Sequence, residues 1–262
     1  MTDLIPLDAH AHFAPSRRAE ELADAGAVLA STLSLEEAAG AVRRREANVV
    51  WGVGCHPRLP QAQAAFDPTV FAKLAEGTAL VGEVGLDVQW SRVPIDDQLR
   101  VFRRVLCEVA ERPRILSIHS YTATRLVLDE VRRTPVVAPI LHWWTGTAAE
   151  TREAVALGCY FSVHSAVARR SVFRTSVPPE RILVESDHGW SDPPAAIPCR
   201  VEWVEHLLSV RLKRSREEVR RLAWRNLATI VRETGTRELL PAQFARMVDE
   251  YGRLGEDPAR LL

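Results

Sequence analysis

No apolar run in this 262-residue chain exceeds about ten residues, half of the roughly 20 that a membrane-spanning helix needs. The formal net charge is zero, so the chain lacks the broad positive field by which strongly basic domains gather nucleic acid, and any attraction for phosphate must be local. Four cysteines (Cys55, Cys107, Cys159 and Cys199) are scattered with no Cys-x-x-Cys pair, which excludes a thiolate zinc site and a disulfide framework and predicts reduced thiols in the core. No basic, apolar and cleavable leader precedes the first β-type segment, so a cytoplasmic protein is expected. No Gly-x-Gly-x-x-Gly follows that segment, which argues against a dinucleotide-binding sheet. Lysine is nearly missing too: of 34 basic residues only Lys73 and Lys213 are lysine.

What is present is a regular alternation. Short apolar or β-branched runs recur at Leu4–His10, Ala27–Ser31, Val49–Cys55, Leu80–Leu86, Ile115–Ser120, Val136–Trp143, Cys159–Val163 and Ile182–Ser186, and eight strands are expected. Helix-patterned segments separate them, among them Pro94–Arg112 and Ala123–Arg133, whose apolar residues recur at three- and four-residue spacing. Near-continuously apolar strands alternating with helices predict an α/β fold of the TIM-type (β/α)8 kind. One barrel over residues 1–262 is expected, its core spanning about 5–232. A helical tail over about 234–262 would carry Leu240, Phe244, Met247, Val248 and Tyr251 as an apolar stripe, Pro241 at its start and Gly255 near its stop. Such a stripe needs a cover, either the barrel's own flank or a partner.

The polar residues that interrupt these strands gather at their C-terminal ends, where barrel enzymes assemble their sites. His10 and His12 end the first, His56 the third, Glu83 and Asp87 the fourth, His119 the fifth, His142 the sixth, and Glu185 and Asp187 the eighth. Burying so many ionisable groups at one mouth is costly unless cations neutralise them. His10, His12, Glu83, His119, His142 and Asp187 are therefore expected to hold two divalent metal ions. Imidazole and carboxylate together suit Mg2+, Mn2+ or Zn2+. Residues two apart in a strand share a face, so His10 and His12 point into the mouth together, and Asp8 is placed to orient one of them. Both lysines fall in helix-patterned segments, so a carboxylated lysine cannot bridge the metals and Glu83 is the carboxylate placed to do so. Asp87 is read either as orienting the Glu83 loop or as an ordinary loop residue.

These residues lie in segments that together resemble the TatD family of metal-dependent deoxyribonucleases: Asp8-Ala-His-Ala-His12, Gly54-Cys-His-Pro57, Gly82-Glu-Val-Gly-Leu-Asp87, Ile118-His-Ser120, Leu141-His-Trp-Trp-Thr-Gly146, Tyr160-Phe-Ser-Val163 and Val184-Glu-Ser-Asp187. They run in family order over about residues 5–230. The resemblance implies one metal among His10, His12, Glu83 and Asp187, a second among Glu83, His119 and His142, and a place for His56 near the scissile phosphate. Within the family, the segments around Ile118, Leu141, Tyr160 and Glu185 look most like the branch found in the Qat anti-phage system, which implies protein partners in defence. Three departures bear on the substrate mouth: His188-Gly-Trp190 stands where the family has Ser or Gly followed by Pro, His164 where a small residue is common, and Trp143-Trp144 where a smaller pair is usual.

The resulting expectation is hydrolysis of DNA phosphodiester bonds, with unpaired or frayed ends preferred, by a water activated between two metals. Asp187 would accept its proton and Glu83 bridge. His56 would either donate to the phosphate or leaving group or merely cap its strand, and Glu185 would support the ligands from behind. Trp143, Trp144 and Trp190 either stack on bases or pack as core and lid, with His164 and His188 beside them. Arg169, Arg170 and Arg174 either guide the DNA backbone or form a solvated face. Two rivals remain: a hydrolase of small esters or amides on the same barrel, and a defence subunit that serves as an interaction module.

Overall fold

In a computed structural model describing residues 4–190 and 199–253, eight strands follow one another in chain order. They are β1 (Leu7–Ala11), β2 (Ala27–Ala30), β3 (Val49–Val53), β4 (Leu80–Gly85), β5 (Ile115–His119), β6 (Ile140–Leu141), β7 (Tyr160–Val163) and β8 (Ile182–Val184). Every adjacent pair is parallel. Residues of both faces of these strands are buried, as their uninterrupted apolar character requires when helices cover the outside. Eight strands were expected and eight are found; β6 is much shorter than its apolar run, because Val136–Pro139 precedes it as irregular chain.

The seam between the last strand and the first is closed by main-chain bonds. Asp187 N–H donates to the His10 carbonyl at 3.0 Å and His12 N–H to the His188 carbonyl at 2.7 Å. Asp8 reinforces the seam, accepting from the Ser186 hydroxyl at 2.5 Å, Ser186 N–H at 3.0 Å and His10 N–H at 3.2 Å. Burial pushes the Asp8 carboxyl up to about 7, against these hydrogen bonds. Asp8 was expected to orient an imidazole; it fixes the backbone of the His10 strand instead, because its side chain is spent on the β1–β8 junction.

The helices carry the end signals that their sequences encode. Thr147 with Glu150, and Ser215 with Glu218, form reciprocal capping boxes before the helices Ala148–Ala156 and Arg216–Thr234, each satisfying two N–H groups otherwise left open at the helix start. The long helix ends at Gly235, whose φ of 65° is left-handed and suits glycine at that position. Ile95–Glu111 turns Val101, Phe102, Val105, Leu106 and Val109 onto the barrel.

The tail helix Ala242–Gly252 lies on the Arg216–Thr234 helix. Phe244, Met247, Val248 and Tyr251 are all buried there, and the Trp224 ring meets Phe244 at 5.9 Å and Tyr251 at 5.1 Å. Of the two covers considered for the apolar stripe, the barrel's own flank supplies one; Gly255 and the rest of the tail lie outside the described residues. Phe244→Ala is expected to cost about 3–5 kcal/mol in chemical denaturation while leaving metal content unchanged, since none of the candidate metal ligands touches this helix. A loss below 1 kcal/mol would show that the docking contributes little to the fold.

Candidate metal centre

Parallel register brings the C-terminal strand ends to one rim, and the six expected residues converge there, all buried. His10 lies in β1 and His12 one residue past it; Glu83 lies in β4, His119 ends β5, His142 follows β6, and Asp187 stands three residues after β8. The strand ends pass very close to one another. A Cβ on Gly54 would sit 1.9 Å from the Thr32 carbonyl oxygen, so only glycine allows β3 to deliver His56 to the rim at this spacing.

Glu83 is the hub. Its Oε2 lies 3.2 Å from His12 Nε2 and 3.6 Å from His10 Nε2, while its Oε1 contacts His119 Nδ1 and lies 2.9 Å from His142 Nε2. Asp187 Oδ1 completes the first group at 3.5 Å from His12 Nε2 and 3.8 Å from His10 Nε2. One carboxylate thus addresses two separate clusters with its two oxygens.

The outward nitrogens of the imidazoles fix which nitrogen faces inward. His12 Nδ1–H donates to the Ser31 carbonyl at 2.9 Å, and His119 Nε2–H to Asp87 Oδ2 at 3.0 Å; neither acceptor can donate, so His12 Nε2 and His119 Nδ1 are the nitrogens that offer lone pairs once their protons are displaced. Ser117 Oγ holds His10 Nδ1 at 2.8 Å. Glu185 Oε1 stands 3.5 Å from His142 Nδ1, an ion-pair distance longer than a hydrogen bond, and the carboxylate is itself held by Trp143 N–H at Oε1 and by the Ser162 hydroxyl at Oε2. Asp87 thus holds the candidate ligand His119, a contact that neither of its two sequence readings, orienting the Glu83 loop or an ordinary loop residue, had included. Such outer partners set ring orientation and basicity in metal sites.

These donors fit divalent cations. His10 Nε2 and His12 Nε2 are 3.2 Å apart, as are His119 Nδ1 and His142 Nε2. Bonds of about 2.0–2.1 Å to a tetrahedral metal place neighbouring ligands about 3.3 Å apart, whereas two facing lone pairs at that distance repel unless a proton or a cation lies between them. His10, His12 and Glu83 form one group with metal-binding spacing; His56, Glu83 and His119 form another, and His10, His142 and Glu185 a third. His56 is the poor member of its group. Its Nδ1 accepts from Arg58 N–H at 3.0 Å, which leaves the proton on Nε2, 3.1 Å from Glu83 Oε2, and a protonated nitrogen cannot ligate.

The electrostatics show the same demand for positive charge. Burial alone would lower His12, but hydrogen bonds and charge from Asp187 and Glu83 outweigh it and raise the group to about 10. Burial is likewise outweighed at His142, raised well above the usual histidine range by Glu83 and Glu185, and at Glu83, held well below the carboxylate range by His56, His142 and His119. His56, in contrast, is pushed down by burial to about 4 despite Glu83, so it is neutral near pH 7. A metal must displace protons from histidines whose pKa values are raised, so affinity grows as pH rises toward those values. Binding of Mn2+ or Zn2+ is expected to tighten about tenfold per pH unit for each proton displaced between about pH 6 and about pH 8, with proton release visible in calorimetry across buffers. Affinity independent of pH would contradict this arrangement.

Above the cluster opens a cavity of about 330 Å³ whose walls include Glu83, His119, His142 and Asp187 together with Trp143 and Trp190. The Trp190 ring stacks on His56 at 4.4 Å between centroids, with the Arg58 guanidinium 5.1 Å from its centre. Trp143 lines the cavity, backed by the His164 ring at 3.9 Å. Four residues expected at the substrate are placed elsewhere. Trp144 is fully buried, its indole N–H donating to Thr151 Oγ at 2.8 Å and its ring meeting Phe161; it is core. Arg170 donates to the Trp144 and Gly146 carbonyls and so braces the loop after β6. Arg169 is exposed outside the cavity, and His188 lines a different hollow, receiving a hydrogen bond from Arg17 at 3.2 Å. Conversely, Arg58, Trp90 and Tyr121 line the cavity although no strand-end pattern marks them; the only signal was their closeness in sequence to His56, Asp87 and His119.

A parallel eight-stranded barrel with histidines and carboxylates gathered at its C-terminal rim is the arrangement of the TIM-barrel class. Within it, the chain belongs to the TatD family: the family described as TatD related DNase matches residues 7–232. The chain is 29% identical over 119 residues to the uncharacterized metal-dependent hydrolase YabD of Bacillus subtilis, a match covering 43% of this chain and 47% of that protein, so it spans about half the relative's length. It is 25% identical over 186 residues to the 3'-5' ssDNA/RNA exonuclease TatD of Erwinia tasmaniensis, covering 66% of this chain and 72% of that one. Among solved structures, the TatD homolog YJJV of Escherichia coli superposes with a TM-score of 0.75 at 18% identity, covering 86% of this chain and 97% of that one. A TatD family hydrolase of Entamoeba histolytica gives 0.71 at 13% identity, covering 88% and 99%. At these identities the two structures speak for the fold.

Proposed function

We propose that this chain hydrolyses DNA phosphodiester bonds, preferring unpaired or frayed ends, with two divalent ions (Mg2+ or Mn2+ in function, Zn2+ as an alternative occupant) held by His10, His12, Glu83, His119, His142 and Asp187. The observation that carries this reading is the division of the two Glu83 oxygens between two ligand clusters. Bound divalent ions would offset phosphate charge and make a water acidic enough to yield its proton near neutral pH. Asp187 Oδ1, beside His10 and His12, accepts that proton. His56, neutral and carrying its proton on Nε2, donates to a phosphate oxygen or to the leaving group. Asp87 and Glu185 hold His119 and His142 in place. Trp143 and Trp190 at the cavity wall offer aromatic surface to unpaired bases, which duplex interiors keep stacked. The Erwinia relative is named for single-stranded nucleic acid, which supports the same substrate class.

The segments around Ile118, Leu141, Tyr160 and Glu185 support a place in anti-phage defence, with partner proteins, in the cytoplasm. End-labelled single- and double-stranded DNA, incubated with and without chelator, tests the chemistry. Single strands and frayed ends are expected to be degraded, duplex interior much more slowly, and nothing in chelator. Equal cleavage of closed circular duplex, or full activity in chelator, would defeat the proposal.

A further inference from the structure

Trp90 is 57% exposed, yet the loop that carries it is fixed at several points. Its backbone N–H donates to Asp87 Oδ1 at 2.7 Å. The Ser91 hydroxyl reaches across to the Pro57 carbonyl at 2.8 Å and accepts from Val93 N–H at 3.0 Å. Buried Gln98 receives Asp87 N–H and donates to the Asp87 and Val93 carbonyls, at 2.8 Å, 3.1 Å and 2.8 Å. Val88 N–H joins the loop to the Tyr121 carbonyl at 3.4 Å.

Ties of this kind hold the loop backbone in one place, which a side chain that must meet a ligand in a fixed position requires. What the loop places is a large aromatic side chain with more than half its surface in solvent, in the wall of the cavity that holds Glu83, His119 and Asp187. Its exposure shows that Trp90 is not filling the core. Tyr121, 36% exposed, stands in the same wall. The same Asp87 carboxylate that holds the Trp90 backbone N–H through Oδ1 holds His119 through Oδ2, so the main chain that carries the ring is tied to the candidate metal centre.

We infer that Trp90 is a specificity-determining platform on which an unpaired nucleobase beside the scissile phosphate stacks. This rests on nucleic acid being the substrate. Every base offers a flat face, so such a platform selects unpaired strand without selecting sequence, and a base inside a duplex cannot reach it.

The test is binding, read separately from cleavage. A fluorescein-labelled single-stranded oligonucleotide is titrated by anisotropy into the full chain under chelator, for the wild type, Trp90→Ala and Trp90→Phe, and again with an oligonucleotide of abasic residues. Trp90→Ala is expected to raise the Kd on the order of tenfold and Trp90→Phe to restore most of the loss. The abasic strand should bind the wild type and Trp90→Ala equally weakly. An unchanged Kd in Trp90→Ala, an equal loss on the abasic strand, or no binding by the wild type overturns the inference. Binding that depends on Trp90, with no cleavage once metal is restored, upholds it and instead removes hydrolysis of DNA as the reaction.

Discussion

Glu83→Gln is expected to reduce DNA hydrolysis on the order of a thousandfold or more, an effect at least as large as losing a donor aimed at transition-state charge. The amide keeps the size of the carboxylate and loses its charge. It also turns one of two acceptor oxygens into an N–H donor, so one of the two clusters would meet a proton where it met a lone pair. Oε2 now faces His10 and His12, and Oε1 faces His119 and His142; whichever way the amide turns, one cluster is left without its anion. The barrel should survive, because Glu83 sits at the rim and the apolar core beneath it is untouched. Metal analysis and far-UV circular dichroism separate these outcomes: less than the wild-type metal content with an unchanged spectrum is expected. Near-normal turnover by this variant would mean that the carboxylate does not bridge.

Asp187→Asn is expected to lower turnover by about 10²–10⁴-fold, the span typical for losing a proton acceptor placed at the reacting group. It should spare the His119 and His142 cluster, which Asp187 does not join, so metal content should fall less than in Glu83→Gln. Asp187 adopts a φ of +50°, a region that asparagine tolerates as well as aspartate does, so the substitution introduces no new backbone strain. A variant with full activity would place the proton acceptor elsewhere, and one that loses all metal would contradict an independent His119 and His142 cluster.

Much of this site was legible in the sequence because strand ends and parallel register do the placing. His10, His12, Glu83, His119, His142 and Asp187 lie 177 residues apart at the extremes, yet all but Glu83, which sits inside β4, stand at or just past the end of an apolar run. A barrel gathers such ends at one rim whatever their separation. Supporting contacts were less legible, because they depend on side-chain reach across strands. Asp87 meets His119 across 32 residues, and Ser117, itself an unremarked β5 residue, meets His10 across 107; no spacing rule marks either pair. Trp143 and Trp144 show the limit at short range. Neighbouring residues leave the chain on different sides, and with β6 only two residues long there was no strand period to say which ring faced the cavity. Arg170 looked like a phosphate guide but braces two loop carbonyls, and Trp90 and Arg58 lie on loops, where periodicity says nothing.

The most direct test is anomalous scattering from crystals of the full chain grown with Mn2+, recorded on both sides of the manganese edge. Two peaks about 3.5–4 Å apart are expected, one beside His10, His12 and Asp187 and the other beside His119 and His142, with Glu83 between them. A single peak away from Glu83, or none in crystals soaked with the ion, would contradict a centre built around that carboxylate.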